Sequence, residues 1–447
     1  MFKNWKHILL LALPSVLSFA TSTLTGTVNL IMVGHLGALI IAIVGVTNII
    51  MYNAFAIFSG IGHTVNYLVA QNYGAGDMKK GIERTYLALA MSVIFGVIIF
   101  LVGLFFSDTI LQLTGGSDEL VVAGEQYLQI RFYAMAFGIV NFVFHGFLRG
   151  VGDTKTSMVL SMISSVTMVV LTYALTFGAL GFPELGLKGA GIAVLAGEII
   201  GLLGGAYVFL VRMHAKYNTR SGMKLNIAEA KLILAESGKL GIQEFSMSVT
   251  MFIFTVFVAR LGTHALAANE VSLSIMSLGF MPAFAFGSTA TILVGQEIGK
   301  NNPHAARRAG TDTAIIGTLF LIILGTIEFI WAGPIAHLYT DDPQVFELAA
   351  YLITISAYLQ IFDGLLNYYA GGLRGIGDTT FLLRVSAILS WFLFVPLAYL
   401  FIFVLEWGSL GAWLSLYIFL TAFGLSVMIR YYKTDWLSVQ IKEAAHG

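Results

Sequence analysis

The octapeptide Phe147-Leu-Arg-Gly-Val-Gly-Asp-Thr154 returns as Gly372-Leu-Arg-Gly-Ile-Gly-Asp-Thr379, 225 residues later, with six of the eight positions identical. The same offset pairs His35-Leu-Gly37 with Arg260-Leu-Gly262, and Val69-Ala-Gln71 with Val294-Gly-Gln296. Three matches at one spacing mark a duplicated half. A weaker echo at an offset of 222, Gly189-Ala190 against Gly411-Ala412, fits a short loop deletion. Whatever one half folds into, the chain holds it twice.

What a half can be follows from its solvent. The chain is 57% hydrophobic and only 11% charged, against about 25% charged for soluble domains, so it belongs in a bilayer. Apolar runs of about 20 residues are long enough to span. Twelve are bounded by charge or by Gly/Pro clusters, near 8–33, 38–60, 85–106, 122–147, 157–180, 189–211, 240–260, 264–289, 311–334, 345–371, 381–405 and 409–432. Each half holds six of them. Six is even, so both halves enter from the same side and the repeat is parallel. The expected fold is an all-α polytopic membrane protein, with twelve transmembrane helices in two six-helix bundles related by a parallel internal repeat.

The predicted organisation is an N-terminal bundle over 1–211, a cytoplasmic linker over 212–239, a C-terminal bundle over 240–432 and a cytoplasmic tail over 433–447. The linker holds six Lys/Arg, and its part from Asn226 to Lys239 has helical spacing that suits a helix lying on the membrane surface. Of the 24 Lys/Arg, all but Arg131, Lys188, Arg260 and Arg384 fall at the N-terminus, after even-numbered spans or in the tail. Positive charge accumulates in short cytoplasmic loops, so both termini are expected in the cytoplasm of a multi-pass cell-membrane protein. The basic start, Met1 to Lys6, runs into an apolar stretch too long for a signal-peptide core and reads as a retained first span.

Lys+Arg and Asp+Glu balance at 24 each, which leaves no basic field for nucleic acid. Without cysteine there is no thiolate nucleophile and no Cys-bound metal. No metal-protease, phosphate-loop or Gly-x-Ser-x-Gly motif occurs, so no catalytic or metal residue is assigned. The 16 Met and 34 Phe suit either a deformable apolar cavity or lipid-facing packing.

An ionised group at mid-bilayer costs about 2.5–3.5 kcal/mol on insertion scales, so each intramembrane acid needs a reason. Glu244, Glu270 and Glu328 lie near predicted helix ends and read as side chains reaching interfacial water. Asp363 and Glu198 are the deep ones. Asp363 suits a protonatable group in a cavity, while Glu198 sits within Gly197-Glu-Ile-Ile-Gly201, a packing face of small residues. The first span carries Thr21, Ser22, Thr23, Thr25, Thr27 and Asn29. The hydroxyls can bond back one turn, but the Asn29 amide must find partners that lipid lacks, so it should face the bundle interior or a wet cavity. His35, His63, His145 and His264 have no partner at metal-ligand spacing and read as interfacial or capping groups. In the repeated octapeptide, Gly supplies the turn, Asp caps the next helix and Arg can bond the last carbonyls of the previous one.

At these residues the chain resembles the multidrug and toxic compound extrusion family. Phe362-Asp363 followed by Leu373-Arg374-Gly375 is similar to its helix-10 signature. Val28-Asn29-Leu-Ile-Met32-Val-Gly34 resembles its helix-1 motif, and Ala70-Gln71 with Gly74-Ala-Gly76 resembles the segment after helix 2. The resemblance, closer to the DinF-like than to the NorM-like branch, implies a polyspecific exporter. It would exchange a proton or sodium ion for organic cations or amphipathic drugs, without a cofactor and as a monomer. The ion-coupling candidates are Asn29, Asp363 and Glu198, and the substrate-binding candidates Asn29, Met32, Asn141 and Asp363. Asn29 stands where the motif has Asp, and Glu244 falls about a turn from the acid expected in helix 7. Asn is the neutral near-isostere of a protonated carboxyl, so impaired proton coupling is expected, whether the residue is natural or engineered. A lipid-linked precursor flippase of the same superfamily is the alternative, disfavoured by the absence of a buried Lys/Arg cluster from the sequence reading. An intramembrane enzyme would need a catalytic constellation, and a passive channel has no use for an inner repeat.

Overall fold

A computed structural model describes residues 2–445 of the chain; His446 and Gly447, the end of the expected tail, lie outside the described residues. The fold is helical throughout. The spans are α1 (Phe2–Gly34), α2 (Ala38–Gly74), α3 (Met78–Leu113), α4 (Asp118–Gly150), α5 (Thr154–Phe177) and α6 (Leu187–Tyr207, continued to Arg212 by a wider turn). The second set is α7 (Ile227–Ala259), α8 (Thr263–Gly299), α9 (Pro303–Ile330), a broken tenth span α10a (Pro343–Ser356) and α10b (Leu359–Gly375), α11 (Thr379–Ile388, continued irregularly to Val404) and α12 (Gly408–Lys433). Counting the broken pair as one, twelve helical spans among the described residues are long and apolar enough to cross a membrane.

The helices stop and restart where local chemistry dictates, in the same way in both halves. After α4, the amides of Val151, Gly152 and Asp153 bond the carbonyls of Phe147, Arg149 and Leu148; after α10b, those of Ile376, Gly377 and Asp378 bond Gly372, Arg374 and Leu373. Gly152 (φ 84) and Gly377 (φ 81) sit in the left-handed region that a side chain disfavours. The caps of α3 and α9 also repeat. Asp77 accepts from the Lys80 amide, and Asn302, 225 residues on, accepts from the Ala305 amide. The Asp153 side chain caps α5 through the Thr156 amide, whereas Asp378 departs from the expected role and takes the Arg430 guanidinium at 2.8 Å. The arginines depart too: Arg149 lies over the rings of Phe19 and Phe142, and the Nε of Arg374 is buried without a partner.

By contact the chain divides into two compact units. One comprises Leu17–Tyr73 and Asp77–Gly241; the other comprises Ile242–Lys442, the start of α1 as far as Val16, and Gly74–Gly76. In the first, α4 packs on α3 and α6, and α5 on α6. In the second, α8 packs on α9, α10a and α10b, and α10b on α12. The same glycine contacts anchor each unit. A Cβ on Gly146 would come within 2.5 Å of the Gly62 carbonyl oxygen, and one on Gly371 would run into that of Gly287. One turn later, Gly150 lies against Val69 and Gly375 against Val294. Each pair is displaced from its mate by the same 225 residues, so the repeat is one of contacts as well as letters. The weaker echo also holds, with Gly189 against the Leu175 carbonyl of α5 and Gly411 against that of Phe401.

Two expectations are corrected. The segment from Asn226 to Lys239 is not a separate surface helix, because α7 begins at Ile227 and runs unbroken into the span. Its first turns are held within the first unit: Glu229 pairs with Arg84 at 2.8 Å, Glu236 accepts from the Tyr67 hydroxyl at 2.7 Å, and Gly241 is closed on by the Ile57 carbonyl. The span expected over 345–371 is bent by 46° between Ser356 and Leu359. No proline causes the bend; there α9 brings Gly325 against the freed Ala357 carbonyl, where a Cβ would not fit.

Overpacking a well-filled site costs about 1–3 kcal/mol. Gly371→Val should therefore lower the melting temperature of the purified protein in detergent by several degrees, and Gly146→Val should do the same in the other half. Gly45→Ala, where nothing lies within 4 Å, is the control that should leave the melting temperature unchanged.

Candidate substrate and coupling sites

The polar stripe of α1 divides into two kinds of group. Thr21, Ser22, Thr25 and Thr27 each donate to the carbonyl one turn earlier and so close their own accounts. Asn29 has no such recourse: its Oδ1 is buried and unpartnered. It faces a cavity of about 300 Å³ inside the first unit, walled by α1, α2, α4, α5 and α6. Asn141 of α4 faces the same space with its own Oδ1 buried and unpartnered. An orphaned acceptor costs about 1–3 kcal/mol, so two on one wall favour a ligand that donates hydrogen bonds or carries positive charge.

Glu198 of α6 lines the cavity as well. Gly197 and Gly201 on either side pack against Met168 and Ser164 of α5, which turns Glu198 toward the cavity and against Gly138 of α4. Its Oε2 lies 3.2 Å from where a Gly138 Cβ would sit. Gly138 is the repeat counterpart of Asp363, so α6 delivers a carboxylate to the place where the other half carries one on its own helix. Opposite charge is present too. Arg131 of α4 lines the wall, its Nη1 donating to Asn48 Oδ1 at 3.0 Å and to the Tyr127 hydroxyl at 2.9 Å. His145 completes the inner wall with Nδ1 2.6 Å from Ser157 Oγ. The cavity therefore carries one carboxylate, a guanidinium, an imidazole and several neutral acceptors.

In the second unit, Asp363 sits five residues into α10b, 6% exposed, with Oδ2 unpartnered. The buried Tyr368 hydroxyl on the same helix is also without a partner. Close by in sequence, Gln360 is 1% exposed and donates from Nε2 to Glu328 Oε2 of α9 at 3.3 Å.

The structure thus brings Asn29, Asn141 and Glu198 together, keeps Asp363 in the other unit, and leaves Met32 off the cavity wall, where its neighbours Leu30 and Val33 stand instead. Other readings change. Glu328 does not reach interfacial water but is 3% exposed. His63 and His145 are buried within the bundle rather than interfacial. Arg84, Arg149 and Arg374 are buried, on three different helices. Arg131 was the available signal for the cavity: an arginine inside a span needs a polar partner.

A duplicated bundle of membrane helices, with a ligand-sized polar cavity in one half and buried acids in both, defines a membrane transporter. The MatE family model matches residues 14–174 and again 240–400, once per half. The chain belongs to this multidrug and toxic compound extrusion (MATE) family. It is 27% identical over 416 residues to the probable multidrug resistance protein NorM of Thermotoga maritima, covering 92% of this chain and 88% of that one. With its Xylella fastidiosa (strain 9a5c) namesake it shares 29% over 420 residues, covering 93% and 88%. With multidrug resistance protein PmpM of Pseudomonas aeruginosa it shares 26% over 436 residues, covering 95% and 90%. Among solved structures, an outward-facing multidrug resistance MATE family transporter aligns with a TM-score of 0.87 at 22% identity over 96% of both chains. The chain is a transporter of small molecules and not an enzyme.

Gly26 lines the cavity and has open space where a Cβ would stand. Gly26→Phe should place a ring in that space without disturbing the helix contacts. We expect unchanged melting behaviour in detergent but at least about tenfold weaker binding of a fluorescent organic cation, the loss of about 1.4 kcal/mol.

Proposed function

We propose that this MATE transporter is a secondary antiporter that exports cationic or amphipathic organic compounds in exchange for protons or sodium ions. The observation that carries the proposal is the paired acid. Glu198 against Gly138 in one half and Asp363 in the other put a carboxyl at the same repeat position of each unit. A carboxyl that is alternately occupied by a small cation and by a cationic substrate makes the two compete, and exchange follows if each occupant favours a different conformation. Arg131 beside Glu198 tempers the negative wall, which suits amphipathic compounds better than densely charged ones.

Asn29 occupies the position of the expected helix-1 acid, keeping that residue's hydrogen-bonding shape without its charge. On this reading substrate still binds in the cavity, while proton uptake at this point is lost. The positive-inside distribution supports cytoplasmic termini in the cell membrane, and the duplication supports a monomer, since one chain supplies both halves. Export of a lipid-linked anionic precursor is the second reading, favoured by Arg131 on the cavity wall. It predicts transport of a lipid phosphate and none of ethidium-like cations.

The test uses proteoliposomes at matched protein level, with inside and outside pH and sodium set independently and a panel of organic cations and lipid phosphates. Asp363→Asn should reduce gradient-driven cation export about tenfold or more, within the range of ordinary coupling energies, with the protein still folded. Unchanged export would remove Asp363 from the mechanism. Asn29→Asp should strengthen the response to the pH gradient relative to the parent chain; equal responses from both would place coupling elsewhere.

A further inference from the structure

Beside the break in the tenth span lies a buried acid that the exchange described above does not use. Glu328 is near the end of α9 and 3% exposed. One carboxylate oxygen, Oε2, accepts from Gln360 Nε2 at 3.3 Å; the other, Oε1, is buried and unpartnered. Gln360 is 1% exposed, and its own Oε1 is buried and unpartnered too. The surroundings are shaped for this pair. Gly325, one turn before Glu328, lets α9 approach the Ala357 carbonyl at the break, and its absent Cβ would lie 3.3 Å from Gln360 Nε2. On the other side Gly279 of α8 leaves the space that the Gln360 carboxamide oxygen fills.

We propose that Glu328 is a proton-binding site of the transport cycle, with Gln360 reading its charge state. The chemistry follows from what the two groups can donate. An ionised Glu328 only accepts, and the Gln360 amide then presents Nε2, as seen. A protonated Glu328 keeps an acceptor oxygen and gains one O–H donor, and turning the amide over presents Gln360 Oε1 to that O–H. The free oxygen on each partner is what the second arrangement uses. Gln360 is in the first turn of α10b, and Asp363 lies three residues on, on the same helical face. A change at Gln360 therefore acts at the one point where the tenth span is already broken, next to the acid proposed for exchange.

Of the titratable or charged groups on elements packed against α9, Asp363, Tyr368, Tyr369 and Arg374 of α10b are buried. Glu297 of α8 is half-buried, and His264 and Glu270 of α8, Glu347 and Tyr351 of α10a and His337 of the short helix after α9 are exposed. Among the described residues none forms an ion pair with Glu328, so no recorded cation replaces the proton.

The inference rests on the antiport reading, and its test does not depend on transport. The full chain reconstituted in lipid is titrated with pH while infrared difference spectra follow the carbonyl stretch of protonated carboxyl groups. The expected result is a carboxylic-acid band that is lost in Glu328→Gln and retained in Asp363→Asn, accompanied by a pH-dependent amide change that is lost in Gln360→Ala. A titrating band that survives Glu328→Gln unchanged overturns the proposal. Should Glu328→Gln fail to fold, Glu328→Asp decides: the band should persist with a shifted midpoint, and an unmoved midpoint overturns the proposal equally. Loss of the band without any ion-driven export in the parent would keep the proton site and reject the antiport reading.

Discussion

Inside a bilayer the lipid tails are as apolar as the side chains, so helices gain little from mere burial and must associate through close packing. Here that packing depends on glycine meeting backbone. Gly146 against Gly62 joins α4 to α2, and Gly371 against Gly287 joins α10b to α8. The polar side chains of the cavity and of the proposed exchange hang from these same helices, Arg131, Asn141 and His145 from α4 and Gln360 and Asp363 from α10b. The contact that sets each unit's geometry thus also sets the register in which its polar groups face inward. A shift of one residue on α4 would turn Asn141 away from the cavity.

How much of this was legible in the sequence depends on whether a feature is written along one helix or between two. Span number, duplication and the octapeptide turns are properties of the chain itself, and they match the structure closely. Asn29 was legible because an amide in an apolar span has to find an interior. The break at residues 357–358 was not. It carries no proline, and what stands against it is Gly325, from a helix some thirty positions earlier. Glu328 was misread for the same reason: distance from a helix end predicts access to water only if no neighbour covers that end, and here Gln360 does. The histidines follow the same rule. His145 sits near the end of α4 in sequence but under Ser157 of α5 in space. Arg149 and Arg374 were expected to cap helices, yet aromatic faces claim one and burial the other.

The two halves have diverged where a strictly symmetric protein would have matched. At the position shared by Gly138 and Asp363, the second half keeps the acid on the helix that also carries Gln360 and borders the break. The first half keeps only the space, and fills it with Glu198 from α6. A carboxyl on α10b moves with that helix. A carboxyl delivered from a neighbour changes its surroundings whenever α4 and α6 move relative to each other. The two acids consequently answer to different motions even though they occupy equivalent places. Because Asn29 is neutral, Glu198 is the only acid among the described residues on the wall of the first cavity, which Arg131 and His145 also line. On the proposed exchange, two carboxyls in inequivalent surroundings would let the driving ion and the exported compound be handled at different points in the cycle.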